Sequence, residues 1–161
     1  MRTRSMRMML LVAALAVGLV GGAAPASATR IGNEGCTPGY WKQAQHFDSW
    51  EEYSPSTTLA SVFTLPAYFA SSEYGDDTFL EALNYGGGSG LTSKARQLLR
   101  AAVAAFLNAA SEDVGYPYRR FSDPGNMLAS VNSALASQNQ TTITNLKDDL
   151  DAKNNLGCPL D

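Results

Sequence analysis

The chain has 161 residues, a formal net charge of −3, and 45% hydrophobic against 17% charged residues. This length allows one domain with a hydrophobic core of its own. An acidic chain without a stripe of Lys and Arg argues against binding to nucleic acid or to anionic membrane surfaces.

The first 28 residues are predicted to be a secretory signal peptide. Three arginines precede the uncharged stretch 8–20, and Ala26-Ser27-Ala28 forms a small-x-small cleavage site. The uncharged stretch is short for a membrane span, which needs about 20 residues, and an uncleaved membrane anchor is the alternative. We therefore expect a mature extracellular domain of residues 29–161, with no membrane span after cleavage.

The two cysteines of the sequence, Cys36 and Cys158, stand near opposite ends of the mature chain. Two cysteines in an exported chain are most simply one disulfide, which here would close almost the whole domain into a loop. A metal pair or a reactive thiol is the alternative, but two cysteines and one histidine are too few for a zinc site. The mature chain keeps nine of the twelve basic residues and all fifteen acidic ones, so its net charge is −6.

Short helices are predicted in the first half of the mature chain. Thr37-Pro38 has the pattern of an N-cap followed by proline at the first helical position, which predicts a helix of about ten residues. The segment 57–65 is rich in β-forming residues but has no obvious partner strand, so a strand and a short helix are both open. Thr78 and Glu81 have capping-box spacing, which predicts a second short helix.

The strongest helical signal lies in residues 93–110. Apolar residues recur there with a period of 3.6, and the many alanines favour helix and close packing. Thr92 or Ser93 is the expected cap, and two further helices are predicted to start at Asp123-Pro124 and at Thr142. Together these segments predict an all-α fold, a small single-domain bundle of four to six helices closed by one end-to-end disulfide.

Three segments carry a recognisable pattern, namely CTPGYWK at 36–42, LLRAAVAAFLNAA at 98–110 and NNLGCPL at 154–160. Taken together, they resemble an uncharacterised family of secreted, largely bacterial proteins that carry a C-T-x-G-Y-W-K motif near the N-terminus. The resemblance covers nearly all of the mature chain. It implies export and a bridge between the two ends of the domain, and it implies no activity and no functional residue.

Aromatic residues cluster just after the first cysteine. Tyr40, Trp41 and Trp50 are candidates for an aromatic platform that binds a sugar ring or a peptide, because such side chains combine a large apolar area with a polar tip. His46, the only histidine, is included in this candidate site. Core packing is the alternative for the aromatic residues, and a surface role is the alternative for His46, since no nucleophile or acid stands at a catalytic spacing from it.

Other polar patterns in the sequence match functional motifs less well. The glycine-rich loop 86–90 lacks the residues of a P-loop, and neither Asp76-Asp77 nor the acidic segment 148–151 has the loop pattern of a calcium site. Arg119-Arg120 is either an ordinary surface pair or a contact for a partner. The sequence therefore predicts no catalytic residue, no metal site and no cofactor.

The function predicted from these observations is a secreted, non-catalytic extracellular binding or interaction module. Its expected partner is an extracellular glycan or a surface protein. One alternative is a structural, self-assembling cell-surface component, which would form oligomers through a sizeable apolar patch. A less favoured alternative is a secreted hydrolase that uses carboxylates, and this would need two acids in one cleft, one of them with a raised pKa.

Overall fold

A computed structural model describes residues 31–160 of the chain. The predicted signal peptide and its cleavage site lie outside the described residues. The described part is all-α, as predicted, and its eight helices exceed the expected four to six. They are α1 (Pro38–Trp41), a 3₁₀ helix (Ala44–Ser49), α2 (Leu59–Val62), α3 (Ala67–Ala70), α4 (Phe79–Leu83), α5 (Leu91–Ala110), α6 (Met127–Ala136) and α7 (Gln140–Asn154). Among these helices, none has the length and apolar character needed to cross a membrane.

Helix α5 is the axis of the bundle, as its long apolar pattern predicts. It packs against α1, α3, α4, α6 and α7. Every residue of its second half, 101–110, is buried. A helix that is apolar all round must be covered on all sides, and the short helices cover the sides that α6 and α7 leave open. The alanines of this half allow its neighbours to approach closely.

Two predicted helix starts are confirmed. The Thr37 hydroxyl accepts a hydrogen bond from the backbone N–H of Tyr40 at the start of α1. At the start of α4, the Thr78 hydroxyl accepts from the backbone N–H of Glu81, and the Glu81 carboxylate accepts from the backbone N–H of Thr78. This reciprocal pair satisfies two backbone donors that the first turn of a helix leaves without partners.

Other predicted boundaries are wrong by about one helical turn. The predicted first helix is divided, because Gln43 is extended and separates α1 from the 3₁₀ helix. Helix α5 starts after Gly90 rather than at Thr92 or Ser93. Helix α7 is capped by Asn139, whose side chain accepts from two backbone N–H groups of the first turn, and this earlier cap displaces Thr142 into the helix.

Helix α6 starts at Met127 instead of Asp123-Pro124. Gly125 and Asn126 have φ angles of +96° and +34°, so the chain cannot be helical before Met127. A Cβ atom on Gly125 would lie 2.7 Å from the Cβ of Tyr118, so glycine is needed here for space as well as for backbone conformation. The loop before α6 is thus shaped by its packing on Tyr118.

The segment 57–65 forms a short helix, α2, and no strand. Thr58, the N-cap residue of α2, makes one isolated antiparallel bridge with Thr78. The backbone N–H of Leu59 donates to the carbonyl of Asp77, and that of Phe79 donates to the carbonyl of Thr57. This single bridge joins the start of α2 to the start of α4. The β-forming residues of the segment therefore serve a local contact between two helix starts.

The disulfide joins Cys36 and Cys158, as predicted, with a Cα–Cα distance of 4.4 Å. Next to it, the backbone N–H of Gly35 donates to the carbonyl of Gly157. A Cβ atom on Gly35 would overlap the carbonyl oxygen of Lys153, so only glycine lets the chain come this close to the end of α7. The two ends of the described domain are therefore held together covalently and by backbone contact.

Candidate functional site

A buried polar network lies beside the disulfide and is centred on Asn108 of α5. The Asn108 side-chain oxygen accepts from the backbone N–H of Cys36 at 2.8 Å and from the indole N–H of Trp41 at 3.1 Å. Its side-chain nitrogen donates to the carbonyl of Cys36 at 2.8 Å and to the side-chain oxygen of Asn154 at 3.0 Å. All four hydrogen-bonding positions of this buried amide are therefore used.

Asn154, the last residue of α7, extends the network. Its side-chain nitrogen donates to the carbonyl of Ala101 at 2.9 Å, and its oxygen also accepts from the Tyr116 hydroxyl at 2.9 Å. Burial raises the pKa of Tyr116, which keeps the hydroxyl protonated as a donor. Asn108 and Asn154 are both fully buried, so the network acts as a scaffold that ties α1, α5 and α7 to the disulfide.

The four predicted binding residues lie together in one cluster. Trp41 is fully buried, while Tyr40 and Trp50 are 6% and 9% exposed. The indole N–H of Trp50 donates to the carbonyl of Trp41 at 3.1 Å. His46 is half-buried and stacks on Tyr40 with a centroid distance of 3.9 Å. Ligand binding by these residues stays a prediction, and the His46 ring is the most accessible of the four.

A different surface exposes large apolar side chains. Among the described residues, Phe121 (59% exposed) and Ile31 (46% exposed) are the exposed large hydrophobic residues. Both line one small pocket of about 110 Å³, together with Arg119 and Arg120. The pocket is lined by Ile31, Ala109, Tyr116, Tyr118, Arg119, Arg120, Phe121 and Ser122, a set with two arginines and no carboxylate. We call this surface the Phe121 face.

The two arginines of the Phe121 face differ in their surroundings. The Arg120 guanidinium makes two hydrogen bonds of 2.8 Å to the Glu52 carboxylate and one of 3.1 Å to the Tyr53 hydroxyl. It also lies 5.2 Å from the centre of the Phe121 ring. Within residues 31–160, the side chain of Arg119 makes no hydrogen bond or ion pair. Arg120 therefore supports Phe121, while Arg119 is available to a partner.

The Glu52–Arg120 pair predicts a pH-dependent contribution to stability. Hydrogen bonds from Arg120 lower the pKa of Glu52 below its usual value of 4.5. The pair therefore stabilises the fold above pH 4.5, and this contribution is lost as the pH falls through the lowered pKa. Because Glu52 is exposed, we expect Glu52→Gln to lower the free energy of unfolding by about 1 kcal/mol or less at pH 7.

Urea unfolding at neutral and at acidic pH measures this effect, with Glu112→Gln as an exposed control. The difference between the two variants should vanish when the carboxylate is protonated in both the folded and the unfolded state. A difference that persists or grows at low pH would contradict the assignment.

The other polar patterns of the sequence have local partners. Asp77 accepts a hydrogen bond of 2.7 Å from the Tyr85 hydroxyl. Asp148 and Asp151 both pair with Lys147 on α7. Across the described residues, no group of three or more His, Cys, Asp or Glu side chains is arranged to hold a metal ion. The loop 86–90 is exposed, and the carbonyl of Gly88 accepts from the Gln97 side chain at 2.9 Å.

Sequence reasoning missed the parts of the molecule that the structure makes prominent. Asn108 was visible as the one polar residue in a run of apolar residues, a position that demands buried partners. Phe121 gave no signal, because a single aromatic residue in a polar loop is as compatible with burial as with exposure.

Comparison of the chain with known protein families, with curated proteins and with solved structures finds no match in any of the three. The family suggested by the three sequence segments therefore stays a prediction. Any functional assignment rests on the chemistry of the surfaces described above.

Proposed function

We propose that the protein is a secreted, non-catalytic module that binds an extracellular surface protein through the Phe121 face. The observation that carries this proposal is the meeting of two exposed large apolar side chains and two arginines at one pocket. Aromatic residues and arginine are the side chains most enriched at the energetic centres of protein interfaces. The disulfide is consistent with an oxidising, extracellular environment.

The chemistry of the face also indicates the partner's chemistry. The lining of the pocket contains no carboxylate, while the sequence as a whole is acidic. Arg119 has no ionic partner within the described part, so a carboxylate of the partner would pair with it by charge-assisted hydrogen bonds. Phe121 and Ile31 would contact an apolar side chain next to that carboxylate. The proposed ligand is thus an acidic and apolar segment of another protein.

Selection from a random peptide library on the immobilised, oxidised protein tests this proposal. The enriched peptides should combine Asp or Glu with large apolar residues. Phe121→Ser and Arg119→Ala should each weaken binding of a selected peptide by about tenfold or more, measured by calorimetry, because each removes a central contact. Lys94→Ala, which removes a positive charge from another surface, should leave the affinity unchanged.

Two results would contradict the proposal. Enriched peptides that are neutral or basic, or that bind equally well to Phe121→Ser and Arg119→Ala, would exclude this face as the binding site. The second result would come from analytical ultracentrifugation of the protein without peptide, which measures its oligomeric state. Oligomers that grow with concentration and are abolished by Phe121→Ser would show that the face binds a second copy, which is the behaviour of a self-assembling component.

A further inference from the structure

A separate pocket of about 340 Å³ lies where α1, α4, α5 and α7 meet, and it shares no residue with the Phe121 face. We call it the Arg100 pocket. Its lining consists mainly of polar and charged residues from four segments that are distant in sequence. These residues are Thr37, Pro38, Gly39, Lys42, Leu83, Arg100, Asp151 and Asn155. A pocket of this volume is large enough for a small polar ligand such as a monosaccharide.

The Arg100 pocket carries two positive charges that lack ionic partners. Lys42 is exposed, and neither Lys42 nor Arg100 makes an ion pair within residues 31–160. One nitrogen of Arg100, Nη1, donates to the carbonyl of Tyr85 at 3.0 Å, while its Nε is buried without any hydrogen-bond partner. Because Nε is buried, a ligand in the pocket cannot reach it. The other terminal nitrogen, Nη2, makes no hydrogen bond within residues 31–160 and is not buried, so it can donate to a carboxylate oxygen of a ligand.

The remaining lining residues suit a hydroxylated ligand. Asp151 pairs with Lys147 at 3.3 Å, and its carboxylate can still accept from a hydroxyl group. Asn155 uses its side-chain nitrogen on the carbonyl of Asp151 at 2.7 Å, which leaves its side-chain oxygen as an acceptor. Pro38 and Leu83 supply a small apolar surface. The pocket thus combines positive charge for an anionic group, acceptor oxygens for hydroxyl groups and a small apolar surface. These are the features that a site for an acidic sugar needs.

The walls of the pocket are fixed by the buried network. Thr37 follows Cys36 of the disulfide, Asn155 follows Asn154, and Arg100 precedes Ala101, whose carbonyl accepts from Asn154. Each of these three wall residues is therefore one position away from a buried residue that takes part in the disulfide or the hydrogen-bond network. A site built on such a support loses little entropy when it binds a ligand.

We propose that the Arg100 pocket binds an acidic sugar, with the sugar carboxylate on Arg100 and Lys42 and its hydroxyls on Asp151 and Asn155. The planar guanidinium matches a carboxylate with two parallel hydrogen bonds, whereas Lys42 contributes a point charge. The free sugar and an acidic polysaccharide present the same chemistry to this pocket.

Titration of the oxidised, isotope-labelled protein with sodium glucuronate, followed by NMR, tests the proposal. Saturable shifts are expected at the backbone amides of Gly39, Lys42 and Asn155. Glucose lacks the carboxylate and acetate lacks the hydroxyls, so both should bind about tenfold more weakly than glucuronate or not at all. If an oligogalacturonide binds more tightly than glucuronate, the ligand of the pocket is an acidic polysaccharide. If the two bind equally tightly, the ligand is the free sugar.

Variants distinguish binding in the Arg100 pocket from binding elsewhere on the protein. Lys42→Met removes an exposed charge and should weaken glucuronate binding by about tenfold. Arg100→Lys keeps the charge but cannot form two parallel hydrogen bonds to a carboxylate, so it should weaken binding by about tenfold as well. Lys94→Met and Phe121→Ser should leave the affinity for glucuronate unchanged. This test of the Arg100 pocket is therefore independent of the Phe121 face. The proposal is overturned by an absence of saturation up to about 50 mM glucuronate, by equally tight binding of acetate, or by unchanged affinity of Lys42→Met.

Discussion

Replacement of Asn108 by alanine is expected to lower the free energy of unfolding by about 4 kcal/mol or more. The change removes four hydrogen bonds at once and leaves the backbone N–H and carbonyl of Cys36 and the indole N–H of Trp41 buried without partners. Each such group costs about 1–3 kcal/mol when it is left unsatisfied. The second half of α5, which contains Asn108, is buried, so water cannot easily replace the lost amide.

Urea denaturation followed by circular dichroism measures this loss. Asn145→Ala is the matched control, because Asn145 is an exposed asparagine on α7 and should cost little. A double-mutant cycle with Asn154→Ala tests the network itself, and the two changes should not be additive since the side chains bond directly. If Asn108→Ala were as stable as Asn145→Ala, the network would have no role in holding the fold.

Loss of the disulfide is the second large effect that we expect. The bond closes a loop with a sequence separation of 122 residues. Chain entropy alone then predicts that replacement of both cysteines by alanine lowers the free energy of unfolding by about 5 kcal/mol. The Gly35–Gly157 contact should weaken as well, because nothing covalent then holds the two segments together.

Reducing agent provides the internal control for this prediction. Dithiothreitol should lower the urea midpoint of the natural protein toward that of the double variant and should leave the double variant unchanged. Equal midpoints for the oxidised protein and the double variant would show that packing alone holds the ends of the domain, against the entropic argument.

Local features of the fold could be predicted from the sequence because their causes are local. The capping box of Thr78 and Glu81 needs only residues three apart, and the period of α5 can be counted along the chain. The start of α6 could not be predicted in this way. It depends on the packing of Gly125 against Tyr118, a contact that the helical pattern does not contain.

The surfaces of the molecule were harder to predict, because they join residues that are far apart in sequence. Trp41 and Trp50 are of a residue type that is common in ligand-binding platforms. Their indole N–H groups, however, donate to acceptors inside the protein. Lys42 and Arg100 line one pocket because α1 packs on α5, where Trp41 donates a hydrogen bond to Asn108. Sequence spacing identifies residue types that can serve a site, whereas tertiary contacts decide which of them share it.

The closeness of Cys36 and Cys158 has a mechanical consequence. A pulling force applied through the chain on either side of these residues passes across the sulfur–sulfur bond instead of through the helices between them. The helical part is then shielded from tension and would keep its shape while the chain outside it is stretched. Reduction of the bond would expose the whole loop to the same force and let it extend.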